Sequence, residues 1–150
     1  MPEELRLEYL DPATLAVNGK NWRVHPPTQI AALKAMLQDV GWAGALLYNE
    51  RTGRLIDGHA RKGITARGQK VPVLIGDWSE EEERKILVTL DPLGAAAQPD
   101  MDKLLALLQE TTFEDKAVND LLEAVANGET QPMPNLYANR DAPEPQIDQA

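Results

Sequence analysis

A chain of 150 residues that is 43% hydrophobic has the material for one domain of ordinary size with appendages. It contains no cysteine, which excludes disulfides, thiolate metal sites and every cysteine-nucleophile mechanism. The net charge of −9 disfavours nonspecific DNA binding, which rests on neutralising phosphates, and no run approaches the roughly 20 apolar residues of a membrane span.

The acidic start, Met1-Pro-Glu-Glu-Leu5, lacks a hydrophobic targeting region, so a soluble cytoplasmic protein without membrane partners is expected. Charge is unevenly spread. Residues 1–78 hold ten Lys/Arg against eight Asp/Glu, a balance of +2; residues 79–150 hold five against sixteen, a balance of −11. Six basic residues (Arg51, Arg54, Arg61, Lys62, Arg67 and Lys70) fall within twenty positions. They form either a local face for a nucleotide or a short nucleic-acid contact, or a solvated mixed-charge surface.

In chain order, Leu5 to Leu10 alternates apolar and polar residues, the period of a half-buried strand. Asp11-Pro12 can cap a short helical turn through Leu15, and Asn18-Gly19-Lys20-Asn21 has turn chemistry. Trp22 is expected to pack on the domain edge, leaving Arg23 free to reach a ligand. Pro26-Pro27-Thr28 opens a helix carrying Ile30, Leu33, Met36, Leu37 and Val40, with Gly41 as its left-handed C-cap. Ala45–Tyr48 and Leu55-Ile56 read as a hairpin turned at Asn49–Gly53.

A helix follows Gly58 to Arg67, with Gly68 as its stop. Lys70–Ile75 is a strand whose Pro72 suits an edge or strand start. Ser79 and Glu82 form a capping box, and Glu80–Glu83 complement the first turn of a helix expected to end at Asp91-Pro92. Gly94–Pro99 reads as a linker. Asp102 then caps a leucine-rich helix, and a second helix from Phe113 or Glu114 carries Val118, Leu121, Leu122 and Val125 to Asn127-Gly128. Both are too apolar to stand alone, so they should pair against the domain or a second copy, with residues 102–126 as a possible homodimer surface. From Glu129 onward prolines interrupt every period, and a flexible tail or linker is expected over 129–150.

The stretch with most chemical content is Leu55-Ile56-Asp57-Gly58-His59-Ala60-Arg61-Lys62. Strand, glycine and helix start, in that order, build an anion site, because the first amides of a helix lack partners and glycine lets a ligand approach. Arg61 adds a planar fork of donors for phosphate. A plain strand-to-helix turn with solvated charges fits the same spacing. His59 reads either as a contact to a phosphate or base edge, or as a histidine bonded to a loop carbonyl.

The order of elements around this turn resembles the ParB N-terminal domain of the ParB/sulfiredoxin superfamily, over about residues 5–92. Asn21 and Arg23 resemble its Asn-x-Arg loop, and Gly58-His59-Ala60-Arg61 its Gly-x-x-Arg box, which in ParB proteins holds the phosphates of a cytidine nucleotide. The run from Thr52 to Arg61 is similar to ParB-like domains that precede phage and mobile-element DNA methyltransferases. The resemblance implies an α+β fold: a small mixed sheet with helices over 1–92, a helical-hairpin extension over 93–128, and a disordered tail. It implies CTP or another nucleotide with Mg²⁺ as cofactor, and DNA and a methyltransferase domain or protein as partners. It implies Asn21, Arg23, Gly58, His59, Ala60 and Arg61 as phosphate-binding residues.

The resemblance has departures. Sulfiredoxin's box needs a cysteine that is absent. His59-Ala60-Arg61 stands where partition proteins usually have Glu-Arg-Arg, and no methylase signature lies in the 150 residues. Asp91 lies near the position of the family's metal-holding Asn, so it reads as a Mg²⁺ ligand or as an Asp-Pro helix terminator. Binding is the leading expectation. A Mg-dependent NTPase, kinase or nuclease is the alternative, with Asp57, Asp91 and Glu50 as the only nearby carboxylates.

Overall fold

The computed structural model describes residues 4–128, and the tail expected over 129–150 lies outside the described residues. Four strands, β1 (Arg6–Leu10), β2 (Leu46–Asn49), β3 (Arg54–Asp57) and β4 (Val71–Gly76), form one sheet in the order β1-β4-β2-β3. β4 runs antiparallel to β1 and parallel to β2, while β2 and β3 form an antiparallel hairpin. The hairpin and the helix after it supply the crossover that a parallel pair requires. The expected α+β class with a small mixed sheet is the observed one.

Val71, Val73 and Ile75 alternate along β4 and meet Leu46, Leu55 and Leu15 in the main buried cluster, with Leu10, Trp42 and Tyr48 at its margin. Ile56 is fully buried on the opposite face, as alternation along β3 requires. Pro72 is the second residue of β4, and pairing with β2 begins only at Val73, so its missing N–H falls at the strand start.

β1 departs from expectation. Its alternation is real, but the apolar set Leu5, Leu7 and Tyr9 is exposed, because β1 is an edge strand and that face has no covering element among the described residues. Glu8 and Leu10 are the half-buried pair instead.

Helix α1 (Pro27–Asp39) closes as expected at Gly41, whose φ is 93°. Helix α2 (His59–Ile64) is shorter than the stretch to Arg67 expected for it. Thr65 turns extended, and its hydroxyl donates to the Arg61 carbonyl, a local bond that competes with continued helix. Helix α3 (Glu80–Ala95) opens with the reciprocal Ser79–Glu82 capping bonds but runs straight through the expected stop at Asp91-Pro92. The carbonyl that loses its partner to Pro92 belongs to Val88, an exposed residue where water can substitute. The expected linker therefore shrinks to the residues after Ala95.

Helix α4 (Met101–Glu110) is capped by Asp100 rather than Asp102, and helix α5 (Lys116–Ala126) starts later than expected, capped by Asp115. In both, the carboxylate accepts the backbone N–H three residues on. α5 lies chiefly along α1 and only secondarily against α4. Val118 is 3% exposed there, whereas Leu107 on α4 is 59% exposed. The apolar stripe of α5 is thus taken up inside the chain. Val118→Ala should lower unfolding free energy by about 2 kcal/mol in denaturant titrations, and Leu107→Ala should change it by less than about 0.5 kcal/mol.

Candidate functional site

Gly58 sits between β3 and α2 with φ 99°, a left-handed conformation that glycine tolerates. A Cβ there would also lie 2.2 Å from Leu46 Cδ2, a fully buried side chain. Two constraints, backbone angle and space, therefore demand glycine. No side chain caps α2, and its first turn carries no acidic residue. The amides of His59, Ala60 and Arg61 have no carbonyl one turn back within the helix to bond.

The 18–23 loop lies against this turn. The Asn18 amide donates to His59 Nε2 at 3.1 Å. Asn21 Oδ1 accepts from the amide and Nε of Arg23, both at 3.4 Å. Arg23 Nη1 lies 2.6 Å from Asp57 Oδ1 and 3.0 Å from Asp91 Oδ2, and Nη2 donates to the Ile56 carbonyl at 3.1 Å. Asn21, Arg23, Asp57, Gly58, His59 and Asp91 are thus brought together, though 34 residues separate Arg23 from Asp57. Arg61 points elsewhere: its guanidinium stands 5.3 Å over the Trp42 ring and donates to the Ala45 carbonyl at 3.2 Å. Glu50 is bound to Arg6. Among the described residues no group of three or more His, Asp or Glu side chains is placed to hold a metal ion.

The loop is held by one face of α3. Glu83, Leu87 and Asp91, four residues apart, receive in turn the Asn18 side-chain amide at 3.3 Å, the Trp22 indole N–H at 2.8 Å, and Arg23. Glu83 is 1% exposed, also accepts from Asn49 at 3.0 Å and from the Thr52 hydroxyl, and forms an ion pair with Arg54 at 3.0 Å. Asn49 in turn donates to the Trp78 carbonyl and accepts from its amide. Sequence reasoning missed this network by reading Glu83 only as first-turn charge. The available signal was its phase: Glu83 lies four residues before buried Leu87, on the apolar side of its helix.

The His59 imidazole has its pKa lowered from the ordinary value. Half-burial lowers it, and the charge of Arg23 lowers it further. Because Nε2 accepts the Asn18 amide, the neutral ring carries its proton on Nδ1, which is buried and has no partner among the described residues. This gives His59 a donor directed at no protein acceptor. Of the two readings of His59, the one with a bond to a loop carbonyl gives way to a bond from a loop amide.

Two concavities lie away from this cluster, one of about 510 Å³ between α1 and the α4–α5 connection, the other of about 200 Å³ between α4 and α5. A phosphate held by backbone amides needs no deep cavity, so chemistry rather than hollowness marks the site.

No protein-family model matches the chain, and no curated protein matches it. Solved structures do. The C-terminally truncated chromosome-partitioning protein ParB from Caulobacter crescentus, complexed with CTP-gamma-S, aligns at TM-score 0.52 and 13% identity, over 83% of this chain and 72% of that one. The fold is ParB-like. A Pnob8-like ParB-N domain aligns at TM-score 0.48 and 20% identity, over 83% of this chain and 50% of its own.

Two outcomes follow. Gly58→Ala should cost at least about 2 kcal/mol of stability, read from denaturant midpoints, since positive φ and the Leu46 contact add. For His59, a pKa lowered in the fold means the unfolded chain binds more protons, so its contribution is complete above the ordinary value of 6.5 and is lost as pH falls below it. Thermal midpoints should therefore drop on acidification through that range, with a shallower slope in His59→Gln, and the Asn18 amide should lose exchange protection with His59 protonation.

Proposed function

We propose that this ParB-like chain binds the phosphates of a nucleotide at the turn formed by Gly58, His59, Ala60 and Arg61. The reading rests most on one observation: the uncapped first-turn amides after Gly58 lie beside the guanidinium of Arg23, held by the Asn21 loop. Phosphate would replace Asp57 and Asp91 as the partner of Arg23, and the unpartnered Nδ1–H of His59 would supply one further donor. Arg61 would leave Trp42 to join them. CTP is the first nucleotide to try, because the Caulobacter ParB fold neighbour is complexed with a CTP analogue.

A Mg²⁺ ion beside the phosphates would draw protein ligands from Asp91 and Asp57, both hard oxygen donors freed when Arg23 turns to phosphate. Such an ion would neutralise phosphate charge. DNA is the proposed second partner, with Lys62, Arg67 and Lys70, which form no ion pair among the described residues, as the surface that meets it. The run Thr52–Arg61 supports a module acting with, or fused to, a DNA methyltransferase of a phage or mobile element. Residues 1–92 would be the ParB-like unit and 93–128 its extension, docked through α5 on α1.

The second reading, Mg-dependent phosphoryl transfer, is favoured by one feature: Asp57 and Asp91 converge on the same guanidinium. Titration of CTP and ATP with Mg²⁺, with and without DNA, tests both. Binding should be weakened roughly tenfold or more by Arg23→Ala and by Arg61→Ala, as loss of a charged hydrogen bond implies. An absence of binding by the wild type, or equal binding by both variants, overturns the first reading. Phosphate release abolished in Asp57→Asn or Asp91→Asn would establish the second.

A further inference from the structure

The sheet has two edges, and they are treated differently. The outer edge of β3 is partly covered, since Ala16 bridges Arg54 and its carbonyl accepts the Leu55 amide at 2.8 Å. The outer edge of β1 has no strand on it among the described residues. Natural edge strands are usually protected by proline, lysine, a bulge or a covering segment. β1, reading Arg-Leu-Glu-Tyr-Leu, has no proline and no bulge, its pairing with β4 being regular throughout, and its protection is limited to the charges of Arg6 and Glu8. It also leaves Leu5, Leu7 and Tyr9 exposed by 46%, 57% and 62% on a single face, beside half-buried Leu74 of β4.

The sequence Leu5-Arg6-Leu7-Glu8-Tyr9 is complementary to itself when reversed. Antiparallel pairing with a second copy about Leu7 sets Leu7 against Leu7, Leu5 against Tyr9, and Arg6 against Glu8 twice. Moving the register by two residues in either direction sets Arg6 against Arg6 or Glu8 against Glu8. A shift by one turns the apolar set of one strand toward the charged set of the other. Opposed unlike charges stabilise a strand pair and opposed like charges destabilise it. Among the two-fold symmetric registers open to a homodimer, charge and apolar pattern therefore favour the one centred on Leu7.

We infer that β1 is a dimerisation edge, joining two copies of this chain into one continuous eight-stranded sheet through β1–β1 pairing centred on Leu7. Arg6, now bonded within its own chain to Glu8 at 2.5 Å and to Glu50, exchanges Glu8 for Glu8 of the partner subunit. Because β3 lies at the far end of the strand order, both Gly58 turns stay clear of the junction. This inference does not depend on the nucleotide reading.

The test is sedimentation of the full chain over a concentration series, together with cysteine cross-linking, for which a chain without cysteine is well suited. Wild type should self-associate reversibly. Arg6→Glu or Glu8→Arg alone should weaken association roughly tenfold, by turning two unlike pairs into two like ones, and the double exchange should restore it. Leu7→Cys should form a covalent dimer on oxidation, because directly opposed strand residues have Cα separations within disulfide reach. Val24→Cys, at an 86% exposed position away from the sheet, sets the background rate. A wild type that stays monomeric throughout, single reversals that associate as well as wild type, or a Leu7→Cys variant that cross-links no faster than Val24→Cys would each overturn the inference. Far-ultraviolet dichroism of each variant confirms that it folds.

Discussion

The buried carboxylate of Glu83 is the interaction on which the rest of the site depends. Taking a carboxylate out of water is costly unless its oxygens are fully engaged, and removing one member of a buried ion pair typically costs about 3–5 kcal/mol. Glu83 is engaged from four directions, by Asn18, Asn49, Thr52 and Arg54. These donors come from the loop before α1, from β2, from the hairpin turn and from β3. One side chain therefore joins α3 to the hairpin and to the loop that carries Arg23. Leu87 and Asp91 extend the same contact along the helix, so the placement of Asn21 and Arg23 beside Gly58 follows from how α3 is seated.

Gly58 shows how the core and the site share a constraint. The side chain that excludes a Cβ at Gly58 is that of Leu46, a member of the main apolar cluster. Close packing of Leu46 on β2 against the turn leaves no room for a side chain at this left-handed position. Arg23, bonded to the Ile56 carbonyl just before the turn, is held between Asp57 and Asp91. Two carboxylates thus share the one guanidinium, and an incoming anion would compete with them for Arg23 rather than fill a neutral hole. Burial and Arg23 both disfavour the charged form of His59 in the same setting.

The helical extension and the β1 edge each leave apolar side chains outward. The stripe of α5 is covered by α1, leaving Met101, Leu105 and Leu107 of α4 outward. On the sheet, Leu5, Leu7 and Tyr9 stay outward because the strand that would cover or extend them is absent from the described chain. An alternating pattern shows only that a strand has an apolar face. Whether that face meets the chain's own core or another surface is set by which strand is the edge.

Local rules made much of the protein legible from its sequence. The hairpin at Asn49–Gly53, the glycine at the end of α1, the Ser79–Glu82 box and the glycine turn at Gly58 depend on a few adjacent residues whose backbone preferences are strong. The resemblance carried by the order of these elements implied the α+β class that the structure shows, and it paired Arg23 with Gly58 as an expectation. Tertiary structure decided what contacts across long separations decide. It carried α3 past Pro92, where an exposed carbonyl tolerates the lost bond, and ended α2 at a threonine hydroxyl. It turned Arg61 onto Trp42, and made Glu83 a buried anchor where sequence indicated only first-turn charge for a helix dipole. Periodicity identifies faces, but the partner of a face, and of a charge, exists only once the chain has folded.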